Sequence, residues 1–448
     1  MHSRALVLPA ALAWPLLAAL GQEPSPEPRG RQLLGAQVTV IGQRLFPFPA
    51  PYDGPRSLDP AGDGKATHTY GVYFGARLPA HFQAYLDIEM ARGAGVSNAN
   101  GLAGVTNGDV IRQGTANLSS GPYVARALLR YSVGFGRGRG RGRGRDTLAR
   151  GIDQLPGGEP SARLDVKAGK LAVSDDFDQN RYANSARTQF MNWALFNNTA
   201  WDFAGDTRAY TWGAVVAWVE PRWVLRVGTF AMPTMANGNQ FDGFPRARGD
   251  NIELTIRPGS HGTVVRALLY ENHARMGSYA EALARAAATN TTPDIVAADR
   301  PGRTKQGAGL NVEQRLADGG ETGLFARAGW NDGRNEDFVF TEVDRHLSGG
   351  LQLAGAHWKR GADRLGIAYV LHGLSSDHRA YLAAGGQGFL LGDGRLRYGP
   401  EGIFETYYRA QFGPYVEVGP DVQWIHNPGY NRDRGPAAVA SLRLNVRY

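Results

Sequence analysis

The last eight residues of the chain, SLRLNVRY (441–448), alternate between apolar and polar side chains. The apolar set is Leu442, Leu444, Val446 and Tyr448, and the polar set is Arg443, Asn445 and Arg447. Successive side chains of a β-strand point to opposite faces, so this segment predicts a strand with one apolar and one polar face. A soluble β-sandwich also contains such strands, so the connections between strands must decide the fold.

The same alternation recurs along the chain, in LDIEM (86–90), NIELTIR (251–257) and GLNVEQRL (309–316). It predicts sixteen strands in all. They are 36–46, 67–77, 82–91, 121–133, 161–173, 208–219, 223–231, 249–257, 263–272, 307–316, 322–331, 348–358, 364–373, 401–412, 415–426 and 435–448.

The predicted connections alternate between long polar loops and short turns. The long loops lie near 47–66, 92–120, 174–207, 232–248, 273–305, 332–347, 374–400 and 427–434. The short turns are LPAH (78–81), EPR (220–222), PGSHG (258–262), ADGGE (317–321), KRGAD (359–363) and GP (413–414). An even number of antiparallel strands with this asymmetry is typical of a bacterial outer-membrane β-barrel, with turns in the periplasm and loops outside.

The N-terminus, MHSRALVLPAALAWPLLAAL, has a basic residue before an apolar run from Ala5 to Leu20 that Pro9 and Pro15 interrupt. This predicts a secretory signal peptide over 1–21, followed by a periplasmic segment over 22–35 and a barrel over 36–448. No later apolar run approaches the ~20 residues of a membrane helix. The chain has no cysteine, which excludes disulfides and thiolate metal sites.

The tract GFGRGRGRGRGR (134–145) resembles an RNA-binding arginine/glycine box. However, the formal charge of +8 falls to about +2 when Arg4 and the five arginines of the tract are left out. A chain-wide nucleic-acid surface is therefore not expected, and export excludes RNA as a partner. Segment 134–160 is predicted to be an enlarged periplasmic turn, either a solvated insertion or a contact for an anionic component of the envelope.

Tryptophans mark both ends of the predicted strands. Trp212, Trp330 and Trp424 lie near the ends that join long loops, and Trp218, Trp223 and Trp358 lie near the short turns. Such positions predict two aromatic girdles at the membrane interfaces.

The segment from Lys170 to Gly213 reads KLAVSDDFDQNRYANSARTQFMNWALFNNTAWDFAGDTRAYTWG. It resembles the carbohydrate-selective porin family (OprB-type). Its runs RYANSARTQFMNW (181–193) and GDTRAYTWG (205–213) match family motifs, although Asn184-Ser185-Ala186 replaces an acidic-proline step and Ala209 replaces a glycine. Further similarity lies in 25–30, 41–43, PYDGPRSL (51–58), 93–112 and PDVQWIHNPGYNRDRGP (420–436). The resemblance implies a monomeric outer-membrane channel, rather than a trimer, that admits small sugars and has loops folded into its pore.

A pore for neutral, hydroxyl-rich sugars needs hydrogen-bonding charges of both signs and an aromatic surface. Alternation predicts which charged side chains point into the lumen. They are Asp87, Glu89, Arg126, Arg226, Glu253, Arg266, Arg327, Glu405, Asp421 and Arg443.

Loop 174–207 is the predicted infolded loop because it is long and contains Trp193, Phe196, Trp201 and Phe203. Its Asp175, Asp176 and Asp178 suit either a solvated acidic loop or oxygen ligation of calcium, and we predict neither metal nor cofactor. Outer-membrane lipid and lipopolysaccharide are the expected surroundings.

Three other interpretations remain open. A porin for phosphate or amino acids, a polymer-export channel or a general diffusion pore has the same architecture. An enzyme barrel needs a nucleophile beside a histidine, but LHGLSSDHR (371–379) matches no nucleophile motif, so no enzyme activity is predicted. The third interpretation is a soluble, exported sugar-binding domain.

Overall fold

The structure, a computed structural model, describes residues 30–109, 118–135, 144–152 and 154–448. Within these residues, sixteen strands form one closed antiparallel barrel, and its first and last strands pair to close it. The barrel strands are β1 Gln32–Leu45, β2 Asp63–Arg77, β3 Phe82–Gly93, β4 Tyr123–Gly134, β7 Arg163–Leu171, β8 Thr211–Val219, β9 Trp223–Ala231, β10 Arg248–Ile256, β11 Thr263–Gly277, β12 Asp299–Ala317, β13 Thr322–Asn331, β14 Arg345–Ala354, β15 Arg364–Gly373, β16 Glu401–Phe412, β17 Val416–His426 and β18 Ala437–Arg447. Two further strands, β5 Arg145–Leu148 and β6 Gly157–Pro160, form a separate hairpin.

All sixteen predicted barrel strands are confirmed, and the differences lie at their ends. The first strand begins at Gln32, so residues 32–35 belong to the barrel and not to a preceding segment. The predicted loop 273–305 is shorter, because β11 continues to Gly277 and β12 begins at Asp299. The predicted signal peptide, 1–21, lies outside the described residues.

The long loops all leave one end of the barrel, which we call the long-loop end, and the other end is the short-turn end. Successive side chains point alternately to the outer and inner faces of the wall, as predicted. Leu442 is 57% exposed on the outer surface, whereas Arg443 is 2% exposed inside. Trp212, Trp330 and Trp424 are exposed near the long-loop end, and Trp218 and Trp223 are exposed near the short-turn end. This distribution gives the barrel two aromatic belts around its apolar wall.

Three α-helices occur in the described residues, all in connections: α1 Trp193–Phe196, α2 Tyr279–Thr289 and α3 Ser376–Ala383. Ser278 and Ser375 cap α2 and α3 by accepting hydrogen bonds from the backbone N–H groups of Glu281 and His378. The two helices pack together through Tyr279, whose ring stacks on His378 at 4.2 Å. Searched through its described ranges, the chain contains no helix long and apolar enough to cross a membrane.

The long loops fold over the barrel and share an apolar core. Trp193, Trp201, Phe338, Leu390 and Tyr430, which come from four different loops, belong to one buried cluster. The loops therefore form a compact cap, not extended surface segments.

The connection between β4 and β7 folds inward as well. Leu155, fully buried, packs with Leu33 and Tyr85 inside the barrel wall, and Glu159 is 3% exposed. The predicted enlarged turn does join the short-turn ends of two strands. In its described part residues 144–147 and 149–151 are exposed, whereas Leu155 and Glu159 are buried against the inner wall. Most of the arginine/glycine tract (136–143) lies outside the described residues.

Candidate channel constriction

The connection between β7 and β8, which we call the infolded loop (172–210), crosses the inside of the barrel. Phe177, Phe190, Trp201 and Phe203 are buried, although they belong to the loop and not to a strand of the wall. Phe190 packs edge-on against Tyr407 of the barrel wall at 4.9 Å. The prediction of an infolded loop from its aromatic content is confirmed by this geometry.

One side of the infolded loop is held by charged groups of β10 and β13. Arg327, with a fully buried side chain, lies 3.0 Å from a carboxylate oxygen of Asp178 and donates to the carbonyl of Ala183 at 2.7 Å. Glu253 accepts a hydrogen bond from the backbone N–H of Asp178 at 2.7 Å. A buried charge requires such partners, so these wall residues and the loop stabilise one another.

The other side is held by β16 and β18. Glu405 accepts from the backbone N–H groups of Met191 and Asn192, the latter at 3.0 Å. Arg443 donates to the carbonyls of Ala186 and Gln189 at 2.6 and 2.8 Å. The loop is thus fastened to opposite sectors of the barrel and narrows the lumen between them.

Each aspartate of the acidic run in this loop faces a basic side chain of the wall. Asp175 pairs with Arg126, Asp176 with Lys167 at 2.7 Å, and Asp178 with Arg327. The run therefore supplies ion pairs to the wall, and its carboxylates are neither solvated together nor arranged around one point as calcium ligands are.

A cavity of about 370 Å³, the loop-side cavity, lies between the infolded loop and β1–β4. Charged residues of both signs line it, together with aromatic side chains. The charged residues used below are Glu89, Asp109, Arg126, Asp175, Arg187 and Arg208, and the aromatic ones are Tyr73, Tyr123, Trp193, Phe196, Tyr210 and Phe340.

Glu89 and Arg187 form the centre of one wall of this cavity. Arg187 of the infolded loop donates to Glu89 at 3.0 Å and to Asp109 at 2.8 Å. Tyr123 and Tyr210 donate their hydroxyls to the second oxygen of Glu89, at 3.2 and 2.8 Å. The network fixes a row of hydroxyl, carboxylate and guanidinium groups, the types that bind sugar hydroxyls.

A second cavity, the turn-side cavity of about 920 Å³, lies toward the short-turn end. Arg126, Asp175 and Asn184 line both cavities, so the two adjoin at these residues. Arg126 donates two hydrogen bonds to Asp175, at 2.6 and 2.7 Å, and one to Asp87 at 3.1 Å. The two cavities therefore meet at an ion-paired group that joins the wall to the infolded loop.

The ten residues predicted to line the pore all lie on the inner wall, but they fall into different environments. Glu89 and Arg126 line the loop-side cavity, and Arg126 and Arg226 line the turn-side cavity. Asp87 pairs with Arg126, Arg266 with Glu313 at 3.3 Å, and Asp421 accepts from Gln423 at 3.4 Å. Glu253, Arg327, Glu405 and Arg443 are covered by the infolded loop that they hold.

Sequence reasoning did not select Arg187, Asp109, Arg208, Asn184 or the tyrosines around Glu89. The loop residues have no strand periodicity from which a direction could be inferred. The only signal for Arg187 is its position in RTQFMNW, the run that carries the family resemblance.

Asp337, Asp344 and His378 form a buried group at the long-loop end whose ligand atoms lie within 4.8 Å of one another. Lys305 already pairs with Asp337, and His378 Nδ1 lies 3.2 Å from Asp344. Burial alone would raise the pKa of Asp344, but the His378 imidazole and the Ser375 N–H bring that pKa to about 2. Each carboxylate thus has a basic partner, and we interpret the group as a structural ion-pair cluster.

The LHGLSSDHR segment has structural hydrogen bonds. Ser375 Oγ donates to the carbonyl of Gly333 at 2.7 Å and caps α3, while His372 contacts Thr199 at 3.0 Å. Ser375 and its neighbouring histidines are therefore engaged with other groups and do not form a nucleophile–base pair.

Comparison with known proteins agrees with this architecture. Residues 76–448 match the family described as "Carbohydrate-selective porin, OprB family". No curated sequence matches the chain closely enough to count as a relative.

Two solved structures show the same fold. The high-pH structure of Pseudomonas putida OprB has a TM-score of 0.66 at 16% identity and covers 93% of this chain and 94% of that one. The outer-membrane channel DcaP of Acinetobacter baumannii has a TM-score of 0.51 at 10% identity, with coverage of 93% and 97%.

Proposed function

Since this chain belongs to the carbohydrate-selective porin (OprB) family and is an outer-membrane sugar channel, we propose that Arg126, Asp175 and Asn184 form its selective constriction. The observation that carries the proposal is that these three residues line both cavities. A solute that crosses the barrel through the two cavities passes this point. Its groups at the junction are a guanidinium, a carboxylate and a carboxamide.

The charges at the constriction are paired, which suits a neutral solute. Arg126 lies between Asp87 and Asp175, and Arg187 lies between Glu89 and Asp109. These groups present donors and acceptors side by side, and Arg208 and Arg447, which also line the loop-side cavity, offset the two excess carboxylates. A sugar hydroxyl both donates and accepts, so it can replace water at these groups.

Aromatic side chains supply the apolar part of the proposed sugar path. Trp193 stacks on Phe340 with ring centroids 4.4 Å apart and packs edge-on with Phe196 at 5.0 Å. All three line the loop-side cavity. The C–H face of a pyranose packs on such surfaces, whereas a phosphate ion or a small polar amino acid offers no equivalent ring face.

The same pairing argues against the alternative solutes. A phosphate pore needs unpaired basic groups, but Arg126 and Arg187 each contact two carboxylates. A general diffusion pore needs no aromatic surface beside the narrow point. We therefore favour small neutral carbohydrates over phosphate, amino acids or unselective diffusion.

We further propose that the short-turn end faces the periplasm and that the long loops face the exterior, among lipopolysaccharide. The loop asymmetry supports this orientation. The chain is proposed to act as a monomer, since each barrel contains both cavities and the constriction between them.

Liposome swelling by the purified protein tests the proposed solute class. Neutral sugars should enter faster than zwitterionic amino acids of similar size, and the reversal potential in a salt gradient should show only weak ion preference. Equal rates for both solutes would support a general pore, and strong anion preference would support an anion channel.

A further inference from the structure

The hairpin β5–β6 and its described connecting residues, 144–152 and 154–160, lie at the short-turn mouth of the barrel, where Leu155 and Glu159 are buried against the inner wall. We propose that this segment, the mouth hairpin, is a second narrowing in series with the constriction. It would form the floor of the turn-side cavity, which we infer to be a second compartment for hydroxyl-rich solutes. The solute class rests on the proposed function, but the narrowing itself does not.

Ion pairs and a hydrogen bond anchor the mouth hairpin to three neighbouring strands. Glu159 accepts two hydrogen bonds from Arg130 of β4, the longer at 2.8 Å, and one from Gln83 of β3 at 3.2 Å. Arg163 of β7 lies 3.2 Å from Glu159 and 3.0 Å from Asp146. Since Glu159 and Arg130 are nearly buried, these bonds hold the hairpin firmly against the inner wall.

The far part of the segment reaches the place where the first and last strands, β1 and β18, pair, three strands along the wall from β4. Arg150 donates to the carbonyl of Leu34 at 2.5 Å, and its guanidinium lies 5.7 Å from the centre of the Tyr448 ring. Arg77 of β2 donates to the carbonyl of Pro156 at 2.9 Å. The segment therefore runs along one sector of the mouth, from β7 past β4, β3 and β2 to the pairing of β1 and β18, which is six adjacent strands of the sixteen.

Both cavities include residues of this segment. Ile152 lines the loop-side cavity, whereas Asp146, Thr147 and Gln154 line the turn-side cavity. A segment that contributes to the walls of both cavities lies within the solute path. Its contribution to the turn-side cavity is polar, as are those of Gln179 and Asn184 from the infolded loop.

The barrel itself does not require the insertion. Gly134 and Arg163 are direct partners in the pairing of β4 and β7, so a tight turn could join the two strands. In such a variant Arg130 keeps Asp165 as a partner at 3.0 Å. The mouth hairpin is thus an addition to a complete barrel wall.

Replacement of residues 135–162 by a short Asn-Gly turn tests the inference. Single-channel conductance in potassium chloride, without sugar, should rise by about twofold, because a narrowing in series has been removed. Unchanged conductance in a folded variant would overturn the proposal. Salt conductance does not depend on sugar preference. An unchanged conductance would therefore contradict the second narrowing without contradicting the proposed sugar transport.

A labelling experiment covers the case in which the shortened variant does not fold. The chain has no cysteine, so Thr147→Cys provides a single thiol on the mouth hairpin. A bulky polar thiol reagent should lower its conductance by about half, since the label would occupy the lumen. Gly361→Cys, on an exposed short turn with open space around it, is the control and should not respond. Labelling of Thr147→Cys that leaves conductance unchanged would contradict the inference.

Discussion

Arg126 on β4 and Asp175 on the infolded loop form an ion pair with two hydrogen bonds, Nε to Oδ2 at 2.6 Å and Nη2 to Oδ1 at 2.7 Å. The pair joins the barrel wall to the loop at the point where the two cavities meet. It therefore has two consequences: it positions the loop, and it sets which groups a passing solute encounters.

Arg327 should prove to be a support of the infolded loop, not a contact for solute. Arg327→Met removes the buried partner of Asp178. A buried carboxylate left unpaired should lower the free energy of unfolding by about 3–5 kcal/mol. We expect a lower unfolding temperature in detergent and frequent current fluctuations in single-channel records, as the loop becomes mobile.

The matched control for Arg327 is Arg266→Met. Arg266 is also on the inner wall, but it pairs with Glu313 of the neighbouring strand β12. This variant should show steady currents. If Arg327→Met gives equally steady currents and the native unfolding temperature, the loop is held by other groups.

Phe196→Leu should weaken discrimination between sugars and other neutral solutes. The change keeps the bulk beside Trp193 but removes an aromatic surface from the loop-side cavity. An aromatic contact contributes about 0.5–1.5 kcal/mol, so the ratio of swelling rates for a sugar and a size-matched amide should fall a few-fold. Conductance to salt should stay near the native value, and an unchanged ratio would show that the ring does not contact the sugar.

Leu269→Arg should impair barrel assembly. Leu269 is 59% exposed on the outer surface and pairs with Ile252 in the middle of β10. A cation facing lipid near mid-bilayer costs about 2–4 kcal/mol. The fraction of heat-modifiable folded protein should drop on gels, whereas Leu269→Phe, which keeps the surface apolar, should fold normally. Equal folding of both variants would place this residue away from lipid.

The wall of the barrel could be predicted from the sequence because a strand has a period of two, and Leu442 and Arg443 already show its two faces. The loops could not be predicted in the same way. Arg187 pairs with Glu89, which is 98 residues away in sequence. Arg130 pairs with Glu159, which lies in an insertion whose sequence resembles a solvated linker. Such pairs depend on where the loops fold in space, and no periodic pattern in the local sequence predicts the position of a loop.

Arg327 shows most clearly what the alternation of side chains along a strand cannot predict. Alternation correctly turns its side chain inward, but whether an inward charge meets solute or loop depends on what fills the lumen. The same holds for Glu405 and Arg443, whose partners are backbone groups of the infolded loop.

Planar-bilayer recording of Arg126→Ala and Asp175→Asn, beside Arg266→Ala, tests the central claim most directly. Conductance should rise and block of ion current by sugar should weaken in both constriction variants, because each breaks the pair where the cavities meet. Arg266→Ala should keep native conductance and native block. Native behaviour of Arg126→Ala and Asp175→Asn, or an equal change in Arg266→Ala, would contradict the assignment of the constriction to Arg126 and Asp175.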